Sequence, residues 1–234
     1  MTYRFQNQAD PLERARLRIV LATLVINVAA VALLVFAPWS NWRTGLALNL
    51  FDNFLLLSFV FLRRDILIAR LLLFGLAVGF AELPADAWLV LHTRTLNYSV
   101  GGGPRLWCSP IWTPFAWQIV AVQFGYLGLR LRERFGGAGL LLIGALGAVN
   151  ILYYEEMARR IHWWTYSGCR MISFTPYYIV LGEFGIAVAL TLLALPLRRV
   201  SQTQAVLLGL AGGVAIFICY ALAYLVTDVL RRAR

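Results

Sequence analysis

The chain has 234 residues, of which 61% are apolar and 14% charged, and carries a formal net charge of +10; its mean hydropathy is +0.73. So apolar a composition excludes an ordinary soluble domain, and the lack of period-2 alternation excludes a membrane barrel. None of the 21 basic residues is lysine, which excludes Schiff-base chemistry.

Apolar runs of about 20 residues match what a bilayer core of roughly 30 Å asks of a helix. They predict an all-α polytopic membrane bundle of seven transmembrane helices, over 17–37, 44–62, 66–91, 112–130, 137–154, 175–196 and 203–229, in one domain covering 1–234. The first run is longer than a signal-peptide core and lacks a small-residue cleavage site, so it reads as a retained anchor. In the second, Asn49, Asp52 and Asn53 recur at helical spacing, a polar stripe that must face protein or water.

The third span ends in FAELPADAWLV. Glu82 and Asp86 stand at i and i+4, about 40° apart around a helix, and so share a face. Pro84 between them removes a backbone donor and clashes with the carbonyl of Phe80, predicting a kink that leaves a polar carbonyl beside the acids. A long connection, 92–111, then carries His92, the GGGP turn at Gly101–Pro104 and Cys108.

The fifth span closes on Asn150, Tyr153 and Tyr154. Glu155 and Glu156 follow, spaced to pair with Arg159 and Arg160. A second long connection, 155–174, holds RRIHWWTY and Cys169; connections of this length tend to be lids or binding elements. Glu183, in the sixth span, has no cation nearby in its helix, and Tyr220, Tyr224 and Asp228 recur every four residues along the last.

Two patterns concern sides. Arg4, Arg14, Arg16, Arg18, Arg63, Arg64, Arg130, Arg132, Arg134, Arg198 and Arg199 fall on the side of the N-terminus. Arg43, Arg94, Arg105, Arg159, Arg160, Arg170, Arg231, Arg232 and Arg234 fall on the other, spread over longer loops and a tail. This bias favours an N-terminus inside, in the cytoplasmic membrane of a bacterium. The short arginine clusters read as topology signals, so no nucleic-acid partner is expected. All eight tryptophans, Trp39, Trp42, Trp88, Trp107, Trp112, Trp117, Trp163 and Trp164, lie on the second side with both long connections. If that side is extracytoplasmic, Cys108 and Cys169 are a pair able to form a disulfide, while Cys219 reads as a packing residue.

Small residues at Gly75 and Gly79, Gly125 and Gly128, Gly182 and Gly185, and Gly209, Gly212 and Gly213 suit close helix packing. Neither His92 nor His162 has metal-ligand spacing, and no phosphate loop or nucleophile elbow is present, so no metal or cofactor is expected.

Of the acids, Asp10, Glu13, Asp65 and Glu133 sit in basic segments as ion-pair partners. Asp52, Glu82, Asp86, Glu155, Glu156, Glu183 and Asp228 fall within spans or at their outer ends. Carboxyls are costly in a bilayer and turn toward the bundle interior, so this grouping predicts one polar, aromatic-walled cavity. Two carboxyls in a poorly hydrated space set a general acid beside a general base, and aromatic faces stabilise a cation between them. Glu82, Asp86 and Asp228 are the candidate catalytic residues. Asp52, Trp88, Trp117, Tyr153, Glu183, Tyr220 and Tyr224 are the candidate substrate contacts, for an apolar small molecule drawn from the bilayer.

Seven spans in this length, no metal motif, Glu82 in an early helix and Asp228 near the end of the last resemble the small membrane-bound terpene cyclases of fungal meroterpenoid biosynthesis. A looser likeness, through the acids beside proline in ELPAD, is to bacterial membrane carotenoid cyclases and hydratases, although there the acidic pair follows the proline. The resemblance implies metal-independent, acid-initiated cyclisation, hydration or isomerisation of an isoprenoid, with Glu82 as proton donor and Asp228 as its partner. The competing reading is a non-enzyme, either a proton-coupled transporter or a lipid- or pigment-binding subunit of a membrane complex.

Overall fold

A computed structural model describes residues 10–230. Arg4, Arg231, Arg232 and Arg234, counted above for sidedness, lie outside the described residues. Helices α1 (Pro11–Leu34) and α2 (Trp42–Arg63) are followed by α3 (Ile66–Ala81), which continues through the short α4 (Leu83–Ala87) into a wider π-turn at Trp88–Thr93. Then come α5 (Thr113–Phe135), α6 (Gly137–Ile161), α7 (Tyr177–Ala194) and α8 (Gln202–Tyr224), the last running into a second π-turn at Leu225–Val229.

Among the described residues, six segments are long and apolar enough to cross a membrane: Pro11–Leu34, Trp42–Arg63, Ile66–Thr93, Gly137–Ile161, Tyr177–Arg198 and Gln202–Val229. The protein is thus a multi-pass helical membrane bundle. The predicted fourth span, α5, is a helix of membrane-spanning length, 23 residues, but is not among the six. Gln118 and Gln123 dilute its apolar face, and Arg130, Arg132, Glu133 and Arg134 charge its end. Its position explains the composition, because α5 packs against α1, α2, α3, α6 and α7 and shows little of itself to lipid.

The local sequence sets the helix ends. Asp10 caps α1 by accepting from the Leu12 N–H, Ser201 and Gln204 form a capping box at α8, and Asn41 and Thr44 form one at α2. Asp65 caps α3 and is almost wholly buried because Arg16 Nε reaches it at 2.6 Å. Glu13 meets both Arg16 and Arg198, and Arg198 also meets Glu133, so these acids knit α1, α3, α5 and the α7–α8 turn on one face. We call this the arginine face.

The opposite face carries three short antiparallel ribbons. β1 (Leu96–Asn97) pairs with β4 (Thr165–Tyr166), joining the two long connections. β2 (Arg105–Leu106) pairs with β3 (Ser109–Pro110), and β5 (Met171–Ile172) with β6 (Thr175–Pro176). We call this the hairpin face.

The tightest packing joins α3 to α5 and α8, and α7 to α6 and α8, while α2 has sparser contacts. Glycine makes the α3–α5 approach possible: a Cβ at Gly79 would collide with the backbone carbonyl of Pro114, and one at Gly75 would lie against the backbone of Gln118.

Candidate functional site

A cavity of about 150 Å³ lies in the hairpin-face half of the bundle. It forms where the interruption at Glu82–Pro84 turns the end of the third span, so that Asp86 and Leu89 join its wall. Three carboxyl residues line it, Asp86, Glu155 and Glu183. Much of the remaining wall is aromatic (Trp112, Trp117, Trp163, Trp164, Tyr166 and Tyr220 among others), aliphatic residues such as Leu48, Leu89, Ile119 and Ile179 fill in between, and the amides of Asn27, Asn49, Gln123 and Asn150 also reach it.

Each lining carboxyl is held by neutral donors. Tyr98 Oη donates to Asp86 Oδ2 at 2.8 Å, and Ser109 Oγ donates to the same oxygen at 2.7 Å. Trp164 Nε1 and Tyr166 Oη donate to the two oxygens of Glu155, and Tyr220 Oη donates to Glu183 Oε1 at 2.6 Å. Behind Asp86 lies Glu82, fully buried. Neither Glu82 oxygen makes a hydrogen bond of good geometry among the described residues, although Asp86 and Trp117 are close enough to interact with it.

The long connections are built around these donors. Trp112, Trp163 and Trp164 cluster, Trp163 stacking on Trp164 with ring centres 6.2 Å apart and Trp112 tilted against Trp163 at 5.4 Å. His162 adopts a left-handed conformation at φ 62° and ends α6, turning Trp163 back so that its Nε1 donates to the Asn41 carbonyl. Burial, and then the charge on Asp86, push the Tyr98 phenol well above its ordinary pKa. Burial, followed by the charge on Glu155, does the same to Tyr166. Both phenols therefore remain proton donors throughout the physiological range.

The sequence-derived candidates divide as follows. Asp86, Glu183, Trp117 and Tyr220 line the cavity, and Glu82 backs it. Asp228 does not line it: the carboxyl accepts from the Arg170 N–H at 3.0 Å and from Thr227 Oγ1, pinning the second long connection to the end of the last span. Trp88 and Tyr224 do not line the cavity; they pack with Phe217 and Tyr178 in an aromatic group that meets the wall where Tyr178 touches Tyr166. Tyr153 turns away and donates to the Val28 carbonyl, whereas its neighbour Tyr154 lines the cavity. Asp52 is buried behind the wall, where the Asn27 amide donates to it.

Two expectations change. The pair Glu155–Glu156 splits: Glu156 alone meets Arg159 and Arg160, while Glu155 turns inward. Cys108 and Cys169 are thiols that are not joined to each other. Cys108 sits near Asp86 and Arg105, while Cys169 packs against the main core and lies near Tyr178. Sequence reading missed Tyr98, Ser109, Trp164 and Tyr166 as carboxyl partners; the signal available was their place in long connections on the tryptophan-bearing side. Among the described residues no group of three histidine, cysteine or acidic side chains is arranged to hold a metal ion.

The family model described as Domain of unknown function (DUF6989) matches residues 83–227, well over half of the chain. The matched stretch holds Asp86, Glu155, Glu183 and their donors, and leaves α1, α2, α3, Glu82 and Asp228 outside. No curated protein and no solved structure matches the chain.

Proposed function

The chain belongs to the DUF6989 family, and from that premise we propose that it is an integral membrane enzyme acting on an apolar, isoprenoid-like substrate by carboxyl acid–base chemistry. The observation that carries the reading is the Glu82–Asp86 pair, one member fully buried with Asp86 and Trp117 beside it but no hydrogen bond of good geometry among the described residues, the other facing an aromatic cavity. An ionised carboxylate buried without a partner is strongly disfavoured, so Glu82 is held as the neutral acid. Two O–H donors on one oxygen suit Asp86 as a carboxylate. The pair thus keeps one proton next to the cavity.

In the proposed cycle that proton adds to a carbon–carbon double bond, forming a C–H bond and leaving positive charge on the substrate. Indole and phenol faces around the cavity stabilise this charge, by about 0.5–2 kcal/mol each. Ring closure or double-bond migration follows. A second carboxylate, Glu155 or Glu183, removes a proton and restores neutrality, so the product is an isomer of the substrate, and that proton then returns to the Glu82–Asp86 pair across the cavity to complete the cycle. Asp228, the partner implied by the resemblance to terpene cyclases, serves the connection instead. With the N-terminus inside a bacterial cytoplasmic membrane, the cavity lies in the outer half of the bilayer.

The test is conversion of a panel of linear isoprenoids by purified protein in lipid, with Glu82→Gln and Asp86→Asn compared after each is shown to fold. Loss of general acid catalysis predicts a fall of about 10²–10⁴-fold in either variant. Absence of wild-type turnover with every isoprenoid class overturns the proposal. A proton flux in liposomes that disappears in the same variants would assign the pair to transport.

A further inference from the structure

The cavity poses a problem of size. A space of about 150 Å³ holds one benzene-sized ring, whereas pockets for whole small molecules run to about 300–1,000 Å³. A linear chain longer than one or two isoprene units therefore needs room elsewhere and a way in.

Both are found one helical turn away. A groove of about 550 Å³ runs between α2 and α3 with α5 as its floor, walled by Leu50, Phe54, Leu57, Leu72, Leu73 and Leu76. It exists because α2 packs only sparsely against α3. Phe54 is 64% exposed and Leu57 45% exposed, on segments that cross the membrane, so the groove faces bilayer hydrocarbon. Yet Asn53 lines it, is 6% exposed, and has an Oδ1 without a hydrogen-bond partner among the described residues.

Asn53 also stands in the partition between the two spaces. Its Nδ2 donates to the carbonyl of Asn49 at 2.9 Å and, at 3.4 Å, to that of Phe115. Asn49 lines the cavity, as does Ala116 beside Phe115, while Phe115 itself lines the groove. One turn of α2 and one of α5 thus form the partition. A bare amide oxygen in such a place is destabilising unless a donor arrives. In hydrocarbon the donor must come with the ligand.

We propose that this groove is the lateral port by which a linear, hydroxyl-bearing hydrocarbon chain from the bilayer reaches the cavity, its hydroxyl donating to Asn53 Oδ1 at the threshold. The port rests on the acid–base reading for its purpose, and its test is independent of turnover. The ligand class is a primary alcohol on an unbranched or prenyl chain. A methyl ether of equal length has the same apolar surface and no donor.

The probe is a diazirine-bearing linear primary alcohol, with its methyl ether as control, photolysed with the full chain in lipid; labelled peptides are located by mass spectrometry. The alcohol is expected to label 50–57 and 69–76 at least fivefold more than the ether, and to label the cavity wall as well. Asn53→Ala should erase the preference for the alcohol. Leu73→Trp, which fills the groove without touching the cavity, should reduce labelling at both places at least fivefold. Equal labelling by alcohol and ether overturns the role of Asn53, and cavity labelling that persists in Leu73→Trp overturns the port. Failure of the acid–base reading looks different: both places are labelled as expected and no isoprenoid is converted.

Discussion

The two hydroxyls on Asp86 give the site its most direct test. Replacing Tyr98 by Phe removes one O–H and keeps the ring, whose packing on Trp164 at 6.1 Å should persist. The lost bond, 2.8 Å long and buried at both ends, contributes about 1.5–3 kcal/mol if its acceptor is charged and about 0.5–1.5 kcal/mol if neutral. A double-mutant cycle with Asp86→Ala, which leaves no acceptor, isolates that interaction from the separate effects of each change. With Asp86 as a carboxylate, the coupling should lie in the upper range, about a 10- to 150-fold change in the unfolding equilibrium. The measurement is unfolding in mixed micelles followed by far-ultraviolet circular dichroism. A coupling below about 0.5 kcal/mol refutes the idea that the connection's hydroxyls hold this carboxyl, and with it the division of labour between Glu82 and Asp86.

Glu155→Gln should cost about 1–3 kcal/mol of stability, because the amide can satisfy only one of the two donors, Trp164 and Tyr166. Glu156→Gln, which loses surface ion pairs, should cost less than about 1 kcal/mol in the same assay. Gly79→Ala gains about 1 kcal/mol of helix propensity and should still be destabilised overall, because the new methyl meets the Pro114 carbonyl; a melting temperature at or above wild type would contradict the α3–α5 contact. The phenols of Tyr98 and Tyr166 titrate above their ordinary value in the folded chain. Their stabilising protons are fully present below about pH 10, and stability should decline as pH rises further, by about 1.4 kcal/mol per unit for each phenol. Tyr98→Phe should make that decline shallower. Asp228→Ala, which removes the acceptor for the Arg170 N–H, should loosen the second long connection, seen as faster proteolysis near Arg170.

Much of this architecture was legible in the chain. The apolar runs placed each long helix, because a bilayer constrains length and hydropathy more tightly than water constrains a soluble helix. Glu82 and Asp86 shared a face as their spacing required, and the proline between them interrupted the helix. Pairing was harder to read. Periodicity assigns a residue to a side of its helix, but Asp86 finds Tyr98 and Ser109 only after a connection folds back over it. Glu155 and Glu156 are equivalent by local ion-pair spacing; which one turns inward depends on Trp164 and Tyr166 beyond the helix end. Asp228 shows the same limit, since a buried acid at the right depth turned out to anchor Arg170. Arg70 was passed over as well, and its guanidinium donates to the carbonyls of Leu197 and Arg198, closing the α7–α8 turn.

The one-sided placement of the tryptophans also has a practical consequence. Trp112 and Trp163 are buried, Trp39 and Trp107 are 65% and 63% exposed, and all eight belong to the hairpin-face half by their place in the chain. Near-ultraviolet excited emission from this protein is therefore a spatially resolved signal without any label. With excitation at the red edge, where indole absorbs and phenol does not, quenchers delivered from water, from the bilayer or by a bound molecule will report on one half of the bundle and leave the arginine face, with Tyr126, out of the signal.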